Sequence, residues 1–282
     1  MINWYQDVFS TKPGWTTEAY HHINTDPGAK VTLRPYRVPA AKREEIKAEV
    51  KRTLELGVIE ESHSQWSSPI VLVPKSNGTT RFCNDFHRLN EISKFDAYLI
   101  PHIDELVDRL GNARFLTILD LTKGYWQIPL AKDVKEKMAS LTPEGLFQYT
   151  GLPFGLHGAP ATFQCLLDKL PRPHTSYAAA YLDDVVIHTP DWETHLEKVE
   201  SVQDTLRRAG LTASPAKCAI GLAEAKYLGY IVGRGMVKPQ LNKLEAIQNW
   251  PRPNQKKQVR AFLGVVDTTS NLFPILLPEQ VP

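Results

Sequence analysis

The sequence predicts an α+β fold, whose central sheet could take a ferredoxin-like split βαβ arrangement, and three observations predict it. The continuous apolar run Phe115-Leu116-Thr117-Ile118-Leu119 reads as a buried strand that delivers Asp120 at its end. The stretch from Ala178 to His188 (AAAYLDDVVIH) reads as a β-hairpin with Asp183 and Asp184 at its tip, between two apolar arms. Amphipathic helical patterns lie between and beyond these strands. Asp120 precedes Asp183 by 63 residues. Only a sheet that sets the first strand's end beside the hairpin tip brings the acids together, and strand, crossover helix and hairpin in a split βαβ unit can do so.

Each element has its own signal. Residues 1–30 show little periodicity and several Pro, Gly and Asp breaks, so they read as an irregular lead-in; Val31 to Pro39 is extended and proline-punctuated. From Ala41 to Leu56, Ile46, Val50 and Leu54 recur at helical spacing, with Glu44 and Glu45 near the start and Gly57 as the stop. A polar loop from Ser62 to Pro69 leads into the strand Ile70 to Val73. Asn77-Gly78, a strong hairpin signal, joins that strand to Thr79 to Cys83. Ile103 to Leu110 is a short helix ending at Gly111. After Asp120, Gly124 to Pro129 turns the chain away, and Leu146 to Phe154 is strand-like.

Gly158-Ala159-Pro160 opens a helix with proline in its first turn, running through Phe163 and Leu167 until Pro171 and Pro173. Trp192 to Arg208 is a helix stopped by Gly210, Tyr227 to Val232 a strand, and Leu241 to Trp250 and Gln255 to Leu263 two closing helical pieces.

Composition narrows the function classes. The 282 residues are 42% hydrophobic and 23% charged, enough to bury a sizeable core. No apolar run reaches membrane-spanning length, and the start of the chain lacks the pattern of an export signal, so an intracellular, cytoplasmic protein with no membrane partner is expected. Cys83, Cys165 and Cys218 have neither disulfide-framework nor zinc spacing; reduced, mostly buried thiols are expected. No P-loop, dinucleotide fingerprint or His-Glu-x-x-His pattern occurs.

Net charge is only +2, but its distribution is uneven. Lys30 to Arg52 carries eight basic residues against three acidic ones, and Lys226 to Arg260 eight against one. Two basic flanks around an acidic centre suit a polyanion held on both sides of a metal site; solvated helix faces give the same pattern.

The acid pair alone leaves two readings open, a divalent-cation site and an exposed turn. With Asp120 beside it, the group could hold two divalent ions for in-line phosphoryl displacement. Lys75 and Arg81, one on each arm of the Asn77-Gly78 hairpin, could clamp a phosphate chain or be two surface cations.

Several segments then line up with one family. Phe115 to Gln127 (FLTILDLTKGYWQ), Leu152 to Gln164 (LPFGLHGAPATFQ) and Tyr181 to Asp184 (YLDD) resemble, in order and spacing, the polymerase motifs of reverse transcriptases, most closely the gypsy class of LTR retrotransposons. Val58 to Val73 (VIEESHSQWSSPIVLV), Arg81 to Asn90 (RFCNDFHRLN), Tyr227 to Tyr230 (YLGY) and Val259 to Gly264 (VRAFLG) extend the likeness over roughly residues 20–265.

The resemblance implies a right-hand polymerase: fingers at 31–95 and 128–154, palm at 96–127 and 155–235, and a truncated thumb at 236–282. It implies an RNA-directed DNA polymerase core that uses two Mg2+ ions, or Mn2+ in their place, held by Asp120, Asp183 and Asp184. Lys75, Arg81, Tyr125 and Phe154 would contact the dNTP, with Tyr125 excluding a 2′-hydroxyl. Gly155, Gln164, Tyr181 and the primer grip Tyr227, Leu228, Gly229 and Tyr230 would contact the RNA or DNA template and primer. Thumb and RNase H regions supplied elsewhere, or a homodimer, would complete the hand; RNase H, protease and integrase are expected to lie outside this sequence.

The sequence also departs from the family pattern. Ser76 and Asn77 replace a basic and an acidic residue, His87 and Cys165 replace arginines, and Met138-Ala139-Ser140 replaces a Thr-Ala-Phe run. A buried Ser140 hydroxyl costs about 1–3 kcal/mol if unpaired. Pro171 falls at a helix end, and Val265 to Thr269 departs from a Tyr-Tyr-Arg segment. These departures keep a second reading open, an inactive retrotransposon remnant that at most binds nucleic acid. An unrelated two-metal nuclease or phosphatase would need further His or Glu ligands, which the sequence does not offer near the acids.

Overall fold

A computed structural model of the chain describes residues 5–74, 80–94, 98–99, 101–110, 113–170, 174–240 and 249–267. In chain order the elements are α1 (Ala40–Glu55), β1 (Ile59–Glu61), β2 (Ser68–Pro74), β3 (Thr80–Asn84), α2 (His87–Ile92), α3 (Ile103–Leu110) and β4 (Phe115–Asp120). There follow β5 (Ala139–Thr142), β6 (Gly145–Tyr149), α4 (Ala159–Lys169), β7 (Ala178–Tyr181), β8 (Asp184–Thr189) and α5 (Trp192–Arg208). Last come β9 (Ala219–Leu222), β10 (Glu224–Tyr227), β11 (Tyr230–Gly233), β12 (Met236–Pro239) and α6 (Lys256–Asp267).

The strands form three sheets, ordered β1-β6-β5-β2-β3, β7-β8-β4-β9 and β10-β11-β12. In the second, the first strand of the β4-α4-β7-β8-α5-β9 series lies between the third and the fourth. That is the order of a split βαβ sheet, with β5 and β6 inserted before α4. The chain divides into two compact units: Met1–Ile100, Ile118–Val186 and Lys198–Cys218 in one, Pro101–Thr117, Ile187–Glu197 and Ala219–Pro282 in the other.

In the first unit the core is built on Ile46 of α1, Phe86, Leu89, Ile128, Met138, Leu152, Phe163 and Leu166, all fully buried. Helix α1 buries Ile46, Val50 and Thr53 and ends as expected at Gly57. There Val58 N–H donates to the Thr53 carbonyl and Gly57 N–H to Leu54, a Schellman closure. Helix α5 closes in the same way, with Leu211 N–H on Leu206 and Gly210 N–H on Arg207. Strands β2 and β3 pair antiparallel from Ile70↔Asn84 to Pro74↔Thr80, as the hairpin signal requires; the Asn77-Gly78 tip lies outside the described residues.

Ser140 is buried, and its hydroxyl accepts a hydrogen bond from the Asn84 side-chain amide. Its desolvation is therefore compensated rather than left as a penalty. The three cysteines form no disulfide among the described residues and are half-buried rather than mostly buried.

Among its described residues, from Tyr5 on, the lead-in has no helix or strand but is well anchored. Val8 and Ser10 exchange backbone hydrogen bonds with Ala213, Trp15 donates to the Gly210 carbonyl, Thr16 to Gln127 and His21 to Pro129. Arg207 grips Asp7 through two hydrogen bonds of 2.6 and 2.7 Å.

In the second unit Leu110, Leu116, Ile187 and Val232 are fully buried, and α3 packs on β11 and β12. Buried His195 is bonded through its two ring nitrogens to Thr117 (2.8 Å) and Thr189 (2.9 Å), a structural role.

One expectation needs correction here. The run Tyr227 to Val232 is not one strand but a hairpin: β10 ends at Tyr227, β11 starts at Tyr230, and these two residues pair. Leu228 (φ 48°) and Gly229 (φ 86°) both take positive φ, which gives a two-residue turn of type I′. Apolar content masked the turn, because leucine rarely occupies that position. The strand expected over Leu146 to Phe154 ends at Tyr149, and Gly151 instead bridges Pro129. The helix expected over Leu241 to Trp250, like Pro171 and Pro173, falls largely or wholly outside the described residues. The last helix spans Lys256–Asp267. Among the described residues no helix is long and apolar enough to cross a membrane.

Candidate active site

Asp120 closes β4, Leu182-Asp183 is the turn between β7 and β8, and Asp184 opens β8. The backbone joins these two places directly, since Leu121 N–H donates to the Asp183 carbonyl at 2.8 Å. The expected convergence of β4 with the hairpin tip is thus observed. Leu182 has positive φ (48°), a strained conformation for leucine that costs on the order of 1 kcal/mol.

Gln164 of α4 supports the strained turn. Its fully buried side chain accepts from Leu182 N–H (3.0 Å) and donates to the Ala180 carbonyl (3.1 Å) and to Asp168 (2.8 Å). Gln164 was expected to contact template or primer. Its side chain has no exposed surface and both ends of its amide are engaged, so within this chain it shapes the hairpin.

On the other side, Gln127 holds the segment after α5. It is fully buried, accepts from Thr212 N–H (2.8 Å) and donates to the Thr212 and Thr122 carbonyls, both at 2.9 Å. The segment continues to Ser214, whose N–H donates to the Asp120 carbonyl at 2.8 Å, and then to Lys217. The Lys217 ammonium donates to both carboxylate oxygens of Asp120, at 3.1 and 3.0 Å. Neither Gln127 nor Lys217 stood out in the sequence as a site residue. Gln127 ends a quoted motif, whereas Lys217 has no local signal.

Electrostatics mark the same spot. Burial, then the Asp120 and Asp184 carboxylates, push the Asp183 carboxyl up to about 6, with Lys217 working against the shift. Asp184 is raised by burial and then by Asp120. Burial, then the Asp183 charge, pushes the Tyr125 phenol up to about 12. Its ring meets Phe154 at 5.1 Å and Phe163 edge-on at 5.2 Å.

Asp120, Asp183, Lys123, Trp126, Phe154 and Lys217 line one cleft of about 640 Å3, shared with Thr80 and Phe82 of β3. Phe154 is 38% exposed there. Gly155 (φ 98°) accepts at its carbonyl from the Asn90 amide at 2.9 Å. Tyr181 is half-buried at the end of β7. Lys75 and the Arg81 side chain lie outside the described residues. Leu228 and Gly229 form the β10–β11 turn in the second unit, where the Tyr227 and Tyr230 side chains are buried.

The acids fit a cation. Asp183 Oδ1 is buried and has no hydrogen-bond partner among the described residues. A Cβ on Gly124 would lie 2.6 Å from that oxygen, so the bare glycine is what admits it. The expected three-acid ligand set is nevertheless not closed. Among the described residues no group of three His, Cys, Asp or Glu side chains is disposed around a metal position. Like charges at close range repel, and Asp120 is directed to Lys217.

Residues 73–232 match the sequence profile of the family described as "Reverse transcriptase (RNA-dependent DNA polymerase)". The chain belongs to the reverse transcriptase family. Among curated reverse transcriptase relatives, the Retrovirus-related Pol polyprotein from transposon 297 of Drosophila melanogaster is 34% identical over 92% of this chain and 25% of its own length. The Transposon Tf2-3 polyprotein of Schizosaccharomyces pombe is 30% identical over 89% of this chain and 19% of its own. The chain thus spans about a quarter or less of these polyproteins.

Among solved structures, a foamy viral protease-reverse transcriptase in complex with double-stranded DNA superposes with a TM-score of 0.86 at 24% identity, covering 98% of this chain and 50% of that one. A foamy viral protease-reverse transcriptase bound to RNA/DNA hybrid gives 0.83 at 23% identity, covering 95% and 37%. The fold is that of the reverse transcriptase portion of such proteins.

Proposed function

We propose that this chain is the polymerase core of an RNA-directed DNA polymerase from a gypsy-class LTR retrotransposon, adding deoxynucleotides to a primer 3′-hydroxyl on an RNA or DNA template. The observation that carries the reading is the meeting of Asp120 with Asp183 in one cleft, where a buried Asp183 oxygen is left without a partner. Family membership and relatedness to transposon Pol polyproteins support the chemistry and the source.

Asp120, Asp183 and Asp184 would hold two Mg2+ ions. When bound, these supply a lowered pKa for the attacking hydroxyl and charge neutralisation for the triphosphate. The chain's own residues do the positioning. The turn held by Gln164 and the loop held by Gln127 fix the carboxylates before substrate arrives. Tyr125, backed by Phe154 and Phe163, presents a flat, half-buried ring beside Asp183 that would pack under the incoming sugar and leave no room for a 2′-hydroxyl. Lys75 and Arg81 would grip the triphosphate, Gly155 and Tyr181 would face the template strand, and the Leu228-Gly229 turn would support the primer. In this reading fingers span 31–95 and 128–154, palm 96–127 and 155–235, and thumb 236–282; the insertion of β5 and β6 between β4 and α4 agrees with that order.

Primer extension on an RNA template tests it. The expected result is Mg2+-dependent dNTP incorporation that disappears in Asp183→Asn. Hybrid-duplex binding with a steep salt dependence but no extension by the wild type would replace the enzyme with a nucleic-acid binder.

A further inference from the structure

We propose that Lys217 is a built-in counter-ion of the carboxylate site: it holds Asp120 in place of a divalent cation and must withdraw when one binds, so it sets the threshold for metal loading. The inference rests on the metal-site reading above.

Three observations carry it. First, Lys217 Nζ contacts both oxygens of Asp120, at 3.0 and 3.1 Å, so it covers the atoms a cation would use. An ammonium can only donate and a metal ion only accept electron pairs, so the two compete for the same lone pairs.

Second, backbone and side chain differ in freedom. Ser214 N–H is fixed to the Asp120 carbonyl at 2.8 Å, and Lys217 and Cys218 N–H groups both turn back onto the Ser214 carbonyl, at 3.1 and 3.0 Å. Yet the Lys217 side chain is 66% exposed, against 21% for Asp120. The stem can swing into solvent without unpacking anything, and its anchored backbone keeps it within reach for return.

Third, the compensation is partial. The ammonium contacts Asp120 alone of the three acids, and Asp183 Oδ1 remains buried without a partner among the described residues. The site is quiet enough to fold around but still short of positive charge. Lysine suits this task better than arginine, being a point charge on a flexible stem rather than a planar fork that binds a carboxylate bidentately.

Mn2+ binding to the purified chain, read from the electron paramagnetic resonance of the free ion, tests the proposal without any turnover. Lys217→Met is expected to tighten Mn2+ binding about tenfold. It is also expected to lower the metal-free melting temperature, with Mn2+ restoring it. Lys123→Met removes a charge from the same cleft but not from Asp120, and should change the affinity by less than about twofold. Lys217→Arg should weaken Mn2+ binding severalfold. Equal gains for Lys217→Met and Lys123→Met, or affinity unchanged in Lys217→Met, overturn the proposal. If Lys217→Met does not fold, Lys217→Arg decides, and unchanged Mn2+ affinity in it overturns the proposal. Failure of the underlying site reading shows separately, as Mn2+ binding that is indifferent to Asp183→Asn.

Discussion

Gln127 and Thr212 exchange hydrogen bonds across 85 residues of sequence, Thr212 N–H to Gln127 Oε1 at 2.8 Å and Gln127 Nε2 to the Thr212 carbonyl at 2.9 Å. Through Ser214, this pair determines where the end of β4 and Lys217 meet. Gln127→Leu keeps the volume but takes the side-chain partner from the Thr212 N–H and the Thr122 carbonyl, while the Thr212 carbonyl keeps the Thr122 N–H. It should cost about 3 kcal/mol of stability, read as a lower denaturant midpoint with an unchanged slope. Primer extension should fall as well, because the Asp120 loop loses its anchor. A shift within experimental error would show that the 210–214 segment is held by the lead-in alone.

Gly124→Ala tests the close approach at the acids. The added methyl would lie 2.6 Å from both Asp183 Oδ1 and Phe163 Cζ. Overpacking of this kind costs typically about 1–3 kcal/mol. Its larger effect should be on the reaction: the expected outcome is a folded protein, by circular dichroism, with primer extension lost. Retained extension would mean that Asp183 can work from another position.

These two residues also show where sequence reading reached its limit. The acids, the β4 run, the α5 span and the helix stops were legible because each follows from a local pattern of period, charge or glycine. The ferredoxin-like strand order was one possibility the strand, helix and hairpin allowed, and the family resemblance pointed to it. Gln127, Gln164 and Lys217 were not legible, since their roles lie in partners 85, 18 and 97 residues away. For Gln164 the resemblance implies a template or primer contact, and its hold on the Leu182 turn is visible only in the fold. The β10–β11 turn was hidden by Leu228, a residue that carries no turn signal yet sits at positive φ. The lead-in looked structureless because its hydrogen bonds go to distant backbone, not to neighbours in sequence.

Tyr125 gives a test of substrate choice. Its ring is wedged between Phe154 and Phe163 beside Asp183, so removing it opens space where a ribose 2′-hydroxyl would go. Tyr125→Ala should raise ribonucleotide relative to deoxynucleotide incorporation by roughly tenfold to a hundredfold, the range set by about 1–3 kcal/mol of lost exclusion. Tyr125→Phe should leave the ratio near that of the wild type, because the ring rather than the hydroxyl does the excluding. A ratio unchanged in Tyr125→Ala would assign discrimination elsewhere.

Asp183 ties stability to pH. Its carboxyl is raised from 3.8 to about 6 in the folded protein, chiefly by burial and then by Asp120 and Asp184. A raised carboxyl binds its proton more tightly when folded, so its penalty is absent below about pH 3.8. The penalty grows as pH climbs through the 3.8–6 window and is complete above it. A shift of that size corresponds to about 3 kcal/mol, reduced to roughly 2 by the remaining contact with solvent. Without metal, Asp183→Asn should therefore be more stable than the wild type by about 2 kcal/mol at pH 8, and the advantage should vanish near pH 4. Adding Mn2+ at pH 8 should reverse the order, since only the wild type keeps the carboxylate the ion needs. Thermal melts of both proteins at the two pH values, with and without Mn2+, check this directly. An advantage of Asp183→Asn over the wild type that is no larger at pH 8 than at pH 4 would mean that Asp183 is not the strained member of the acid group.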